Sequence, residues 1–327
     1  MELFTYKRAA DRAQAVAVAT SKDARFIAGG TTLLDLMKLD VEHPAKLVDI
    51  NRIGLDTIEK LPNGSLSIGA LVRNSDLAHH PTVQSDYSVL SQALLSGASA
   101  QLRNMATTGG NLLQRTRCMY FRNTTMPCNK RTPGSGCSAI EGDNRTLAIL
   151  GASKDCIATN PSDMNVALAA LEAVITVNGA SGTRNISIAD FHLLPGTTPH
   201  IETALNPGDL ITQVTLPAAR PKSKQVYLKL RDRASYEFAL ASAAIVAEVE
   251  DGKITYIRVA LGGVATKPWR SHEAEEALLH HPADAATFRH AAEAALRDAH
   301  PQSENGFKVE LAKRSITHAL TLATQPA

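Results

Sequence analysis

A long segment without periodic structure constrains the fold of this chain more than any other feature. It spans residues 107–165 and contains every cysteine of the chain: Cys118, Cys128, Cys137 and Cys156. Neither a helical nor an alternating apolar period extends through it, and it contains several prolines, glycines and asparagines, so it is predicted to be a loop. A loop of this length inside a compact domain is usually functional or disordered. We therefore expect a covalent or metal-based restraint to hold it in shape.

The spacing of the four cysteines limits which covalent or metal-based restraint could hold the loop. The pattern C-x9-C-x8-C-x18-C differs from zinc fingers and ribbons, which pair cysteines two to four residues apart. An iron–sulfur cluster can take thiolates from separate turns of one loop. Five basic residues in or beside the loop could offset the negative charge of a cluster: Arg115, Arg117, Arg122, Lys130 and Arg131. On spacing alone, two disulfides, four free thiols and a cluster all remain open. The chain begins without an apolar secretory signal, which argues against disulfides.

Two glycine motifs indicate an anion-binding function. The first, AGGTTLLDL at 28–36, is a strand end, a glycine pair and two threonines that open a helix. Glycines allow close backbone approach, and N–H groups at a helix start favour an anion. Taken alone, such a turn is more often only a turn. The second motif, QLRNMATTGGN at 101–111, repeats the threonine–glycine pattern. Two such sites in one chain predict a ligand with two phosphates, held from two sides.

Hydrophobic periodicity predicts the order of the helices and strands. Strands are predicted at residues 3–6, 24–27, 45–50, 65–70, 173–178, 183–188, 209–216, 225–231, 240–250 and 254–261. Helices are predicted at residues 9–20, 33–39, 74–79, 87–100, 164–171, 273–279, 283–298 and 308–322. A basic, proline-containing segment at 220–224 indicates a domain boundary. After it, three long strands and three helices predict one antiparallel sheet backed by helices.

Composition excludes several classes of partner. The formal net charge is +2 and aromatic residues make up 4% of the chain, so we expect neither a polyanionic partner nor a stacking surface for nucleic acid. No apolar run is long enough to span a bilayer. The segment after Met1 is charged, so we expect no signal peptide belonging to this chain.

In this order, the motifs resemble the FAD-binding subunit of the molybdenum hydroxylases, the xanthine dehydrogenase family. The resemblance covers nearly the whole chain and is carried by FIAGGTTLLDLMK (26–38), ATTGGNLLQ (106–114), NPSDMNVAL (160–168) and VALGGVATKPWR (259–270). Most members lack the cysteine insertion. Here RTRC, PCNKR, PGSGC and CIATNPSD resemble the periplasmic-type aldehyde oxidoreductases, whose FAD subunit carries a [4Fe–4S] cluster. This resemblance favours a cluster over disulfides.

The resemblance implies an α+β fold in two domains. The first, at 1–219, is a two-part, PCMH-like FAD-binding domain. It consists of a small α/β subdomain (1–55) and a larger α+β subdomain (56–219) that contains the cysteine loop (115–160). The second, at 224–327, is similar to the C-terminal domain of the carbon monoxide dehydrogenase flavoprotein, with a three-stranded antiparallel sheet and helices.

The resemblance also implies the site residues. One wall of the FAD site would comprise Phe26, Ile27, Ala28, Gly29, Gly30, Thr31, Thr32, Leu33 and Leu34. The second wall would comprise Thr107, Thr108, Gly110 and Asn111. Asp163, Ile211 and Lys229 match family positions at the flavin, although Asp163 also suits a helix cap and Lys229 a solvated strand lysine. Tyr236 lies where the family often places a ring near the isoalloxazine; simple packing is the alternative. The cluster ligands would be Cys118, Cys128, Cys137 and Cys156, and no catalytic residue is assigned.

The implied function is electron transfer within a heterotrimer. A large subunit with a molybdenum cofactor would oxidise an aldehyde to a carboxylate, and a small subunit with [2Fe–2S] clusters would pass the electrons to a non-covalent FAD on this chain. The corresponding subunit of a 4-hydroxybenzoyl-CoA reductase or xanthine dehydrogenase-type enzyme is the alternative. A flavoenzyme like vanillyl-alcohol oxidase or the enolpyruvyl reductase, and a non-enzymatic protein with a zinc- or disulfide-held loop, also stay open. The expected location is cytoplasmic, or periplasmic if the complex is exported with a signal-bearing partner.

Overall fold

A small parallel sheet forms the N-terminal part of the computed structural model, which describes residues 1–21 and 23–325. Its strands β1 (Thr5–Arg8), β2 (Ala24–Ile27) and β3 (Lys46–Asp49) lie in the order β1-β3-β2. They are connected by α1 (Arg12–Val18) and α2 (Leu33–Lys38). The Asp11 side chain caps α1 by accepting a hydrogen bond from the Gln14 N–H, as Asp does at helix starts. The predicted β-α-β-α-β order is confirmed.

A five-stranded antiparallel sheet is the centre of the next part. Its strands are β4 (Ile58–Lys60), β5 (Leu66–Gly69), β6 (Val174–Gly179), β7 (Gly182–Ser187) and β8 (Leu210–Leu216), in the order β4-β5-β8-β6-β7. The helices are α3 (Asn74–His79), α4 (Pro81–Asp86), α5 (Ser88–Ser96), α6 (Ala100–Met105), α7 (Thr108–Leu112), α8 (Met119–Arg122), α9 (Asp163–Ala170) and α10 (Ile188–Phe191). Sequence periodicity missed β4, α4, α6, α7, α8 and α10, because three to six residues are too few to establish a period.

The C-terminal part is an antiparallel sheet with helices on one face. The strands β9 (Lys224–Leu230), β10 (Ala241–Glu250), β11 (Lys253–Gly262) and β12 (Trp269–Arg270) lie in the order β12-β11-β10-β9. The helices are α11 (His272–Leu278), α12 (Ala285–Ala295) and α13 (Phe307–Thr324). The three predicted strands are present as β9, β10 and β11. The sheet nevertheless has four strands, so the predicted number of three is wrong. The fourth, β12, has only two residues and pairs with Ala260 and Leu261 of β11.

Both faces of the C-terminal sheet are buried. Side chains alternate along β10: Ala244 and Val246 join a core with α5 and α9, whereas Ala243 and Ile245 join a core with α12 and α13. The sheet is therefore packed between the preceding part of the chain and its own helices. The α+β fold class is confirmed.

The cysteine loop folds around a small core of its own. Turns, bends and isolated bridges make up residues 123–162. We call the following buried set the cysteine-loop core: Leu36, Val41, Cys118, Phe121, Cys128, Ala139, Leu147, Cys156, Ile157 and Ala158. The end of the loop is joined to the C-terminal part through the parallel bridge Leu150↔Ala265. Of the helices formed by the described residues, none is both long and apolar enough to cross a bilayer.

Candidate cofactor site

The main cleft of the molecule lies between the two glycine motifs. Its volume of about 570 Å³ falls within the usual range for small-molecule sites. The first wall is the end of β2 and the turn into α2; the second is the start of α7. The predicted site residues that line it are Phe26, Ile27, Ala28, Gly29, Gly30, Thr31, Thr32, Leu33, Thr107, Gly110 and Ile211. The cleft thus brings together both predicted walls.

The two walls touch at Gly29. A Cβ atom on Gly29 would lie 1.9 Å from the carbonyl oxygen of Met105, which lies within the second motif, two residues before Thr107. The next residue, Gly30, has a φ of +71°, a conformation that glycine adopts without steric cost. The first glycine is therefore required by contact between the walls, and the second by the turn.

Thr107 and Thr108 have different surroundings in the second wall. The Thr107 hydroxyl oxygen caps α7 by accepting a hydrogen bond from the Gly110 N–H at 3.2 Å. Thr108 lies behind the wall, where its N–H and hydroxyl both donate to the Val72 carbonyl, at 2.9 and 3.1 Å.

Asn111 also supports the wall from behind. Its Oδ1 accepts a hydrogen bond from the Ser162 hydroxyl at 2.7 Å, and Ser162 caps α9 by accepting from the Asn165 N–H. Thr108, Asn111 and also Leu34 lie outside the lining of the main cleft. They hold the wall in position.

Asp163 and Lys229 form a buried ion pair away from the main cleft. Lys229 Nζ lies 2.8 Å from Asp163 Oδ2, with side-chain exposures of 4% and 9%. The Tyr227 hydroxyl donates to Asp163 Oδ1 at 2.5 Å, and burial, followed by the Asp163 charge, raises the pKa of Tyr227. The alternative of a solvated Lys229 is therefore wrong, and the helix cap is Ser162 rather than Asp163.

A second cavity of about 190 Å³ adjoins this ion pair. Asp163, Arg117, Cys118 and Phe238 are among the residues that line it. Tyr236, in the neighbouring 232–240 segment, is 55% exposed and has a φ of +54°. A positive φ is uncommon for a bulky residue and marks either strain or function. The exposure contradicts the alternative of a packed tyrosine.

The four cysteines converge on one small cavity. All four are free thiols, and all four line the cavity; Cys118, Cys128 and Cys156 are buried. Burial raises the pKa of Cys118 to about 11, and the nearby thiols of Cys128 and Cys137 add to the increase. The structure therefore differs from the two-disulfide alternative.

Four thiols are the donor set that a [4Fe–4S] cluster takes from a protein. Among the residues that the structure describes, no group of three His, Cys, Asp or Glu side chains is arranged to hold one metal ion. Gly134 and Gly136 have φ values of +84° and +97°, which let the loop turn tightly here. The cavity measures about 10 Å³, so the side chains must move apart to admit a cluster.

The basic residues near the cysteines are engaged with other partners. Arg115 pairs with Glu42 and Glu202, and Arg117 and Arg122 pair with Asp35. Arg131 donates to the backbone carbonyls of Tyr120, Phe121 and Met126. These contacts fasten the loop to its surroundings, a role that the sequence did not indicate.

Lys130 stands between the main cleft and the cysteine cavity. Together with Ala158 it lines both, so the wall that separates them is thin here. Its Nζ donates to the Pro199 carbonyl at 2.9 Å and lies 3.7 Å from Glu202.

His192 is among the residues of the main cleft that sequence reasoning missed. It lines the cleft, and its Nε2 lies 2.9 Å from the Leu112 carbonyl oxygen. Burial lowers the pKa of His192 to about 4, so the ring is neutral near pH 7. A lone histidine in a loop carries no local signal that could have identified it.

Comparisons with known proteins cover almost the whole chain. Residues 2–219 match the family model described as FAD binding domain in molybdopterin dehydrogenase, and residues 226–323 match the CO dehydrogenase flavoprotein C-terminal domain. The chain is 54% identical over 329 residues to the aldehyde oxidoreductase FAD-binding subunit PaoB of Escherichia coli (strain K12), covering 100% of both. It is 31% identical over 277 residues to the glyceraldehyde dehydrogenase medium chain of Sulfolobus acidocaldarius, covering 84% of this chain and 81% of the relative.

Solved structures show the same fold. A carbon monoxide dehydrogenase chain from Hydrogenophaga pseudoflava superposes with a TM-score of 0.78 at 27% identity, covering 98% of this chain and 97% of that one. A chain of quinoline 2-oxidoreductase from Pseudomonas putida 86 superposes with a TM-score of 0.76 at 25% identity, covering 99% and 98%. The fold is thus that of a known group of chains.

Proposed function

The chain belongs to the family of FAD-binding subunits of the molybdenum hydroxylases, and we propose that it carries FAD and a [4Fe–4S] cluster in a molybdenum-dependent aldehyde oxidoreductase. It is a subunit of an oxidoreductase. One observation carries the proposal: two glycine walls meet across a cleft in a chain that matches an aldehyde oxidoreductase FAD subunit over its full length. We place the domain boundary between residues 219 and 224.

The main cleft fits FAD in shape and in chemistry. The glycine walls leave room for close backbone approach, and the hydroxyls of Thr31, Thr32 and Thr107 add polar groups along the lining. The neutral His192 ring adds no charge. When bound, the flavin supplies the redox chemistry, while the protein positions it and excludes competing reactions. Ile211 contributes an apolar side chain to the lining.

We assign one [4Fe–4S] cluster to Cys118, Cys128, Cys137 and Cys156, the four thiols that line the small cavity of the loop. We assign the cluster a mainly structural role. The loop has only a small apolar core, and a bound metal centre contributes free energy to the folding of such segments.

The proposed complex is a heterotrimer. A large subunit with the molybdenum cofactor oxidises the aldehyde to a carboxylate, and a small subunit with [2Fe–2S] clusters carries the electrons to this chain. FAD then passes them to an external acceptor. Support comes from relatives that are themselves named as one chain of several, such as the medium chain of carbon monoxide dehydrogenase from Hydrogenophaga pseudoflava.

Cofactor analysis of the anaerobically purified protein tests the proposal. We expect about one FAD and about four iron and four sulfide per chain, with the FAD released to the supernatant by acid. In the complex co-expressed with its partner subunits, added aldehyde should bleach the flavin absorbance. A colourless protein contradicts the FAD assignment, flavin retained in the pellet contradicts non-covalent binding, and absence of iron and sulfide contradicts the cluster.

A further inference from the structure

The helix α2 packs on the cysteine loop rather than into the core of its own sheet. Leu36 on α2 and Val41 just after it belong to the cysteine-loop core, together with loop residues such as Phe121 and Ile157. The small parallel sheet has a separate core, around Val48. A six-residue helix is not stable in isolation. The position of α2 therefore depends on the cysteine loop.

Charged contacts fasten the same two segments together. Asp35 on α2 accepts hydrogen bonds from Arg117 at 3.1 Å and Arg122 at 2.7 Å. Both arginines lie within four residues of Cys118. Beyond the helix, Glu42 accepts a hydrogen bond from Arg115 at 2.6 Å. These contacts join α2 to the stretch of loop that contains the first cysteine.

The Asp35 carboxylate also holds together two groups of like charge. Arg117 Nη1 and Arg122 Nη2 both donate to Asp35 Oδ2, so one carboxylate oxygen lies between two guanidinium groups. Without the Asp35 charge, the two guanidinium groups repel each other, and the loop loses its charged contact with α2.

The helix in turn carries part of the first wall of the main cleft. Thr31, Thr32 and Leu33 line the cleft at the start of α2, and Asp35 follows two residues later. A displacement of α2 therefore displaces the wall. The apparent affinity of a site is proportional to the fraction of molecules in which the site has its binding-competent geometry.

From these contacts we propose that the cysteine loop, once its cluster is in place, positions the first glycine wall, so that tight FAD binding requires the cluster. Asp35 is the positioning residue through which the loop acts. The inference rests on the proposed FAD and cluster assignments. Because linkage is reciprocal, bound FAD should also slow the loss of the cluster.

The first experiment separates the contact from the cluster. FAD affinity and iron content are measured on the anaerobic full-length protein and on Asp35→Asn, which removes the charge at nearly constant size. We expect unchanged iron but an FAD dissociation constant at least about tenfold higher. Asp35→Glu should restore most of the affinity. Asp40→Asn is the matched control, because Asp40 follows α2 but its carboxylate pairs with the N-terminus and His43 at the surface rather than with the cysteine loop. Wild-type affinity in Asp35→Asn would overturn the inference.

The second experiment removes the cluster. In Cys128→Ser we expect iron loss and an FAD affinity at least as low as in Asp35→Asn, although Cys128 lies outside the main cleft. If that variant does not fold, the wild-type protein is treated with an iron chelator, and released FAD is followed by fluorescence while the cluster absorbance decays. FAD retained after the cluster has gone refutes the inference. A wild-type protein without FAD or iron instead refutes the proposed function, so the two failures are distinguishable.

Discussion

At the scale of single residues, Gly29 in the first glycine motif makes a contact that the sequence did not indicate. From sequence, Gly29 is expected to leave space for phosphate oxygens. In the folded chain, a Cβ there would instead meet the Met105 carbonyl oxygen at 1.9 Å. Gly29 is thus needed because the two walls touch, whether or not a ligand is present.

This contact predicts the effect of a single methyl group. Gly29→Ala should push the walls apart and abolish FAD binding, because backbone atoms at Met105 cannot rotate away as a side chain can. Gly110→Ala should do less, since its Cβ would lie 3.0 Å from the Thr107 side chain only. The measurement is flavin content after gel filtration, with circular dichroism to verify folding. Gly306→Ala is the control: Gly306 has helical angles and open space around it among the described residues. Normal flavin content in Gly29→Ala would refute the explanation.

At the scale of elements, the cysteine loop is held at its exit by the C-terminal helix. Lys308, near the start of α13, is fully buried. Its Nζ donates to the carbonyls of Thr146, Leu147 and Gly263, at 3.1, 2.8 and 2.5 Å. Three donors of one ammonium thus satisfy three carbonyls. Burial, followed by the charge of Arg145, lowers the pKa of Lys308 to about 7.

Lys308→Met should therefore destabilise the chain by roughly 2–5 kcal/mol, because three buried carbonyls lose their donor. The folded pKa of about 7 lies below the value of 10.5 for a free lysine. Between these two pH values Lys308 is protonated to a greater extent in the unfolded state than in the folded state. The free energy of unfolding of the wild type should therefore rise with pH relative to that of the variant. Urea unfolding at several pH values measures both effects. Lys313→Met, on the same helix with an exposed partner, should be nearly neutral. Equal stability of Lys308→Met and wild type would contradict the assignment.

At the scale of the whole molecule, the C-terminal sheet and the preceding part of the chain share one interior. The ion pair between Lys229 on β9 and Asp163 on α9 crosses this junction, and Arg270 on β12 crosses it again by pairing with Glu172. Burial of both partners makes the first of these pairs sensitive to loss of either charge.

Lys229→Met leaves Asp163 buried without its cationic partner, although the Tyr227 hydroxyl still donates to it, and should cost about 3–5 kcal/mol of unfolding free energy. If the only role of Lys229 is to stabilise the contact between β9 and α9, the variant should keep the flavin midpoint potential of the wild type. Denaturant unfolding and a redox titration measure the two quantities. Lys222→Met provides the comparison, since Lys222 pairs with Glu250 at the surface. A shifted potential with unchanged stability would instead support a role of Lys229 beside the flavin.

Local pattern predicted the order of the longer elements and the two glycine motifs, and the Asp251–Gly252 pair between β10 and β11 carries the local signal of a hairpin turn. Each depends on neighbours within one helix, strand or turn. Asp251 and Gly252 both have positive φ values, 51° and 74°, as an Asp-Gly hairpin turn requires. The short helices and β12 were missed for the same reason, because a few residues carry no measurable period.

Contacts between distant parts of the chain depended on the folded structure. Met105 against Gly29, Asp163 with Lys229, and Asp35 between two arginines each join residues that are far apart in sequence. No short window of sequence contains both partners. Many acidic and basic residues could pair with one another, and the packing of the elements decides which of them do. Packing brings the four cysteines to one cavity and places α2 on the loop that surrounds them, because that is where its apolar face is buried.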